Sequence, residues 1–255
     1  MNAKKILSLV ASTIKLFIIL MLFISNSKAE GNNIKYYSDD KGILSLMYHR
    51  FNENRYPSTN IQMNIFKEQI KIIRNLNYKF YDPKYLEDNF YVIKKQKKIL
   101  ITIDDAFSSF YKFAWPYLKK EKIPFILFVS TEAVGKNGYM NWEQIKELDK
   151  APFVQIGHHS HSHNYLVDFK NEDFINDINT ASTIFNKRLG YNPIFFSYPF
   201  GEYSSLIKKY ISDNFKFSFG QHSGVIDITK DRYELPRFPI NEKYGDLKRF
   251  KFLIN

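Results

Sequence analysis

Gly157-His158-His159-Ser160-His161-Ser162-His163 holds four of the chain's six histidines. The other two are His49 and His222. Clustered imidazoles in a chain without cysteine suit a divalent metal bound through nitrogen and oxygen. His159 and His163 are four apart, so a helical turn or tight loop could bring both to one ion. His159 and His161 are two apart, which would suit a strand instead. Spacing alone leaves both pairs open. Two histidines with one carboxylate form a set that leaves positions for water on zinc or a similar ion.

Three further groups carry polar chemistry at the ends of apolar runs. Asp104-Asp105 follows Ile99–Ile103 directly. Two adjacent carboxylates there repel each other and raise one pKa unless a cation compensates them. Tyr198-Pro199-Phe200-Gly201 follows another apolar run, and Pro close to Gly marks a rigid turn that can aim a backbone N–H into a site. Tyr48-His49-Arg50 closes the first run and adds a histidine suited to proton transfer.

The elements that must position these groups alternate between short apolar strands and amphipathic helices. Strands are expected over Ile43–Tyr48, Tyr78–Tyr81, Ile99–Ile103, Phe125–Val129, Phe153–Gly157, Phe195–Tyr198, Lys216–Phe219 and Arg237–Ile240. The continuous β-branched run Ile99–Ile103 reads as a strand buried on both faces. Helices are expected from an Asn64 cap through Leu76, after Asp82-Pro83, over Ser109–Lys120, over Trp142–Lys150, over Asp173–Leu189 before Gly190, and over Ser204–Ser212. Repeated β-then-α units predict an α/β fold with a parallel sheet or (β/α) barrel. The polar groups fall just after strand C-termini, where barrel active sites are built.

Composition narrows the setting. The formal charge is +11, and the four lysines of residues 1–29, a stretch with no acid, account for part of it. The remaining lysines are scattered, and no nucleic-acid motif is present. The aromatic fraction of 17% fits either a biased base composition or an aromatic-lined glycan groove. Lys4 and Lys5 precede the apolar run Leu16–Ile24, and Ser27-Lys28-Ala29 offers small residues for cleavage. That layout predicts a secretory signal peptide over residues 1–29, and hence a periplasmic or extracellular protein. The membrane would be met only through this segment, if it stays uncleaved. The rest, 30–255, is read as one domain, and nothing in it sets an oligomeric state.

Taken together, the motifs resemble the polysaccharide deacetylases with a NodB-like domain, carbohydrate esterase family 4, from about Gly42 to Asn241. Thr102-Ile103-Asp104-Asp105-Ala106 is similar to the family's T-F-D-D-G motif. Gly157–His163 is similar to G-N-H-[ST]-x-x-H, and Tyr198–Gly201 to R-x-P-[YF]-G. The resemblance implies a distorted (β/α) barrel of about seven parallel strands. It implies Asp104 as general base, and Asp105, His159 and His163 as ligands of a divalent metal, zinc first. Phe200, with Tyr198, Pro199 and Gly201, would serve the oxyanion and substrate, and the substrate would be an N-acetylated glycan containing N-acetylglucosamine. His158 falls at the usual Asn, where the resemblance implies a residue that supports the ligands without binding the metal.

The chain departs from the pattern at three places. Ala106 replaces Gly. Ser197 stands where relatives carry the Arg that orients the base, leaving Arg50 and Arg237 as candidates for that contact. No histidine follows His222, so the family's C-terminal L-x-H motif has no counterpart. Leu46-Met47-Tyr48-His49 resembles the poly-N-acetylglucosamine branch, in which the acid histidine lies on the N-terminal strand. His49 is therefore the expected acid and His222 its rival. Two other readings remain: a glycan-binding relative that has lost catalysis, and an amidase for a small molecule on the same fold.

Overall fold

The computed structural model describes residues 42–93, 97–227 and 229–254. The expected signal peptide lies outside these residues. Among the described residues eleven strands follow in order: β1 Ile43–Tyr48, β2 Arg50–Phe51, β3 Asn60–Ile61, β4 Lys79–Phe80, β5 Lys98–Ile103, β6 Phe125–Val129, β7 Val154–His158, β8 Phe195–Ser197, β9 Phe217–Phe219, β10 Val225–Ile226 and β11 Phe238–Pro239. The main sheet runs in the order β10-β1-β5-β6-β7-β8-β9, with β11 on β1 and β4 on β5; β2 and β3 pair separately. All pairings are parallel except β10 with β1. The curled, mostly parallel sheet with its helices agrees with the expected α/β architecture, with an antiparallel edge that the sequence reading did not contain.

The apolar runs explain the burial. Every residue of β6 is buried, as are Ile99–Ile103 of β5, because helices and loops cover both faces. Gly157 on β7 lets Phe128 of β6 approach; a Cβ there would lie 2.4 Å from the Phe128 ring.

Register is what positions the site. Tyr48 pairs with Ile103, Ile103 with Leu127, Val129 with His158, and Ser197 with Phe219. The residues just beyond these pairs are His49, Asp104, His159 and Tyr198. They therefore emerge as one row at the C-terminal edge of the sheet. β11 joins β1 through Leu46↔Phe238, so Arg237 enters the same end from the far side of β1.

Several boundaries differ from expectation for identifiable reasons. The first helix spans Met63–Asn75, with Asn64 inside it; the Met63 N–H is capped instead by Asn52 Oδ1 at 2.8 Å. The helix expected over Ser109–Lys120 opens as a π turn, Phe110–Ala114, before α geometry over Trp115–Glu121. Pro116 has no N–H to give the carbonyl four residues back, so the ladder is offset there. Gly190 ends Asn171–Leu189 in the left-handed conformation as expected. The helix Leu247–Ile254, which seats Phe250 and Ile254 in the core, was not expected.

Candidate active site

Asp105, His159 and His163 each offer a ligand atom within 4.8 Å of the others. His163 Nε2 lies 3.1 Å from Asp105 Oδ1 and 3.2 Å from His159 Nε2, and His159 Nε2 lies 3.6 Å from Asp105 Oδ1. The His159 Nδ1–H donates to the Ser197 carbonyl at 2.7 Å. That bond fixes the tautomer and leaves a bare lone pair on Nε2, directed at the other two groups. Facing donor atoms at this spacing need a proton or a cation between them, so the residues fit a divalent metal. The four-residue spacing is thus the one that converges. His161 instead bonds Thr131 Oγ1 through Nδ1 at 2.8 Å.

The loop reaches this shape through left-handed residues at Ser160, φ 64°, and His163, φ 58°. Two buried groups hold it. His158 accepts the Ser160 N–H at Nδ1 and donates from Nε2 to the Ile178 carbonyl. Burial among rings lowers its pKa to about 3, so it stays neutral. Asp177, on the helix Asn171–Leu189, accepts the N–H groups of His161 at 2.7 Å and Ser162 at 3.0 Å. Sequence reasoning missed Asp177; the only signal was an acid on the buried face of an amphipathic helix.

Asp104 is fully buried beside this cluster, with Oδ2 3.8 Å from His159 Nε2. Arg237, also fully buried, grips it as a fork: Nη1 to Oδ1 at 2.7 Å and Nη2 to Oδ2 at 2.9 Å. Arg237 Nη2 also donates to Ser197 Oγ at 2.8 Å, and Ser197 Oγ donates to Asp104 at 3.3 Å. The contact left open by Ser197 is therefore made by Arg237, while Arg50 pairs with Glu53. Burial pushes the Asp104 carboxyl up, but the charges of Arg237 and His159 outweigh it and hold the pKa below its ordinary value. Asp105 is likewise raised by burial and then lowered further by the His163 hydrogen bond and the charges of His49 and His159.

His49 is half-buried where β1 ends, and its charge acts on both aspartates. His222 is exposed, and the charges that act on it are those of Glu234 and Lys230. Its backbone carbonyl binds the Arg237 N–H, so it braces the segment that delivers the arginine.

Phe200 sits at φ 58° in the turn after β8 and packs edge-on against His163, with ring centroids 4.8 Å apart. Tyr165 stacks on Phe200 at 3.8 Å, and both rings are exposed. Gly201 follows at φ 76°, where a Cβ would meet Gln221 at 2.6 Å. Pro199 is buried beneath the turn. Tyr198 corrects the expectation that grouped it with the substrate. Its ring is fully buried and its hydroxyl donates to the Tyr233 carbonyl at 2.9 Å, so it anchors the turn from below. Ala106 adopts φ 54° despite its Cβ, directly after Asp105 at φ 72°.

The family model for polysaccharide deacetylase matches residues 92–214, which carry the Asp104-Asp105 pair, the histidine loop and the Phe200 turn. IcaB from Ammonifex degensii has the same fold with a TM-score of 0.76 and 25% sequence identity, over 85% of this chain and 98% of that one. Over residues 92–214 this chain matches the polysaccharide deacetylase model, and its fold is that of IcaB. A poly-beta-1,6-N-acetyl-D-glucosamine N-deacetylase of Staphylococcus aureus (strain MRSA252) is 24% identical over 286 residues, spanning 95% of this chain and 94% of that one. The Streptococcus pyogenes deacetylase PplD, solved in complex with acetate, shares the deacetylase fold with a TM-score of 0.75 at 20% identity, over 84% of this chain and 98% of that one.

Proposed function

We propose that this protein hydrolyses N-acetyl groups on a glycan containing N-acetylglucosamine, using a divalent metal held by Asp105, His159 and His163. The observation that carries the reading is a buried carboxyl, Asp104, fixed by a two-pronged Arg237 contact beside the Asp–His–His cluster. Imidazole and carboxylate donors favour zinc among the common ions. When bound, the metal supplies a lowered water pKa and a polarised acetamido carbonyl.

Asp104 takes a proton from the attacking water, for which its carboxyl must be ionised, and Arg237 keeps it so. The Phe200 backbone N–H is the one offered to the developing oxyanion, since the N–H groups of Tyr198, Gly201 and Glu202 are donated to backbone carbonyls. His49 protonates the departing amine as the C–N bond breaks. Acetate and a free amine on the sugar are the products. His159 keeps its orientation through Ser197, and Phe200 stacks on Tyr165 as a flat apolar face for a pyranose ring.

The inactive-relative reading drew on Ala106, Ser197 and the missing C-terminal motif; the Arg237 contact answers the second of these. The small-molecule reading needs an enclosed pocket; the exposed Tyr165 and Phe200 rings beside His163 suit an open glycan surface. A leader over residues 1–29 would carry the enzyme across the membrane to such a polymer. The test is acetate release from a panel of N-acetylated glycans, with chelation and metal add-back. Release from β-1,6-linked N-acetylglucosamine oligomers, abolished by chelator and restored by zinc, is the expected result. Absence of release from every glycan in metal-replete protein refutes the reading.

A further inference from the structure

The residue after His49 is held in an unusual way. The Arg50 guanidinium lies over the Phe107 ring at 3.4 Å and over the Tyr56 ring at 4.1 Å. Nη1 is paired with Glu53. Among the described residues its other N–H groups have no hydrogen-bond partner, although the side chain is only 14% exposed. Among the described residues the Ser45 hydroxyl is the side-chain group both buried and unpaired, so these Arg50 donors open to solvent, where a ligand can reach them. Clamping between two rings has already removed its rotamer freedom, so the donors stand in place for a ligand.

The surroundings extend the surface. Phe107 follows Asp105 by two residues and pairs with Tyr139 across an antiparallel bridge, their rings 5.0 Å apart. The Tyr139 loop is pinned by Met140 N–H to the Ala106 carbonyl and Ser108 N–H to the Gly138 carbonyl. Burial raises the Tyr139 pKa, Asp105 raises it further and Arg50 opposes it, so the phenol lies within the fields of both. β1 leads through His49 into β2, which carries Arg50, while β5 and β7 deliver the Asp–His–His cluster and β8 leads into the Phe200 turn. Two aromatic walls therefore flank the cluster, one with Tyr165 and Phe200, the other with Tyr56, Phe107, Tyr139 and the clamped arginine.

We propose that Arg50, clamped between Phe107 and Tyr56 and bordered by Tyr139, forms a sugar-binding subsite for the unit next to the one being deacetylated. Its free N–H groups donate to hydroxyl or acetamido oxygens of that unit, and the rings pack on its apolar face. This rests on the glycan deacetylase reading and adds to it that the enzyme recognises at least two consecutive units, so it acts within a chain.

The experiment compares wild type, Arg50→Gln and Arg50→Lys on N-acetylglucosamine oligomers from disaccharide to pentasaccharide, with kcat and KM separated. Pentasaccharide affinity is measured by calorimetry on the same changes in an Asp104→Asn background. The wild type should gain kcat/KM with chain length. Arg50→Gln should lower pentasaccharide kcat/KM by at least about tenfold, mainly through KM, with a much smaller fall on the disaccharide, and should weaken pentasaccharide binding similarly. Arg50→Lys should behave like Arg50→Gln, because a point charge neither stacks nor donates as a fork. Should Arg50→Gln fail to fold, Tyr56→Ala, at a 42% exposed ring, provides the same comparison. Equal losses on short and long oligomers, an effect on kcat alone, full activity in Arg50→Lys, or a wild type indifferent to length overturns the subsite. A wild type that releases no acetate from any oligomer overturns the deacetylase reading instead.

Discussion

Replacing Arg237 with Met tests the centre of the site. Arg237 makes hydrogen bonds to Gly220 O, Thr102 Oγ1, both oxygens of Asp104 and Ser197 Oγ. Removing one partner of a fully buried ion pair costs about 3–5 kcal/mol, because the surviving charge is left without compensation. In a chain of this size that corresponds to a Tm fall of roughly 6–20 °C. The sign with pH follows from Asp104. In the native protein its folded pKa is depressed, so it contributes stability above its unfolded value, about 3.9, and loses it as pH falls through the folded pKa. Without Arg237, burial dominates and the folded pKa rises above the unfolded one. The carboxylate then costs stability as pH rises. The Tm gap between the two proteins should be smallest below the depressed folded pKa of Asp104 and widen toward neutral pH, measured with chelator present so that only the chain's own charges act. Adding Asp104→Asn should recover much of the lost stability and none of the acetate release. If the double variant is as unstable as the two single changes summed, the Asp104–Arg237 coupling is absent and the reasoning fails.

Asp105→Ala and His163→Ala should each lose bound divalent metal by elemental analysis and lose turnover with it, whereas Asp104→Asn should keep the metal and lose about 10²–10⁴ in kcat. His49→Ala should lower kcat by a similar factor, while His222→Ala keeps turnover; loss of turnover only in His222→Ala would reverse the acid assignment. Asp177→Ala removes the acceptor of two loop N–H groups and should weaken metal affinity by about 10–100-fold, read by competition with a chelating dye. Ala106→Gly relieves about 1–2 kcal/mol of left-handed strain against about 0.4–1 kcal/mol of added unfolded-state entropy, so thermal unfolding should show a net gain of about 0–1.6 kcal/mol.

The sequence exposed the parts of the fold whose pattern is local. β5 and β6 read as buried strands because each is a continuous apolar run, and Gly190 marked a helix end because only a left-handed residue closes it cheaply. The parts it hid depend on distant partners. Asn64 looked like a cap because the true cap, Asn52, comes from another segment. β10 is two residues long and exists because β1 offers it an antiparallel edge, which no periodicity in Val225-Ile226 announces. Pro116 was visible, but the wide turn it forces upstream was not, because Phe110–Trp115 keeps a helical apolar spacing.

The site divides along the same line. Its donor groups were legible because each follows an apolar strand, and parallel register brings strand ends into one row whatever lies between them. What the sequence could not rank was the choice between Arg50 and Arg237 as partner of Asp104. Arg50 is adjacent to His49. It is not the partner because the chain leaves β1 at Tyr48 and carries Arg50 into the separate β2–β3 pair, where its guanidinium meets Glu53. Arg237 lies 133 residues from Asp104 and reaches it only because β11 pairs with β1 at Leu46↔Phe238, directing the preceding side chain beneath the carboxylate. Ser197 completes the exchange. A small hydroxyl at that position leaves room for a guanidinium arriving from the opposite side and then bonds it, so the residue that looked like a loss is the one that accommodates the replacement. Ser197→Arg should therefore not improve the enzyme: a second guanidinium would compete for Asp104 in a fully buried space, and acetate release and thermal stability should both fall.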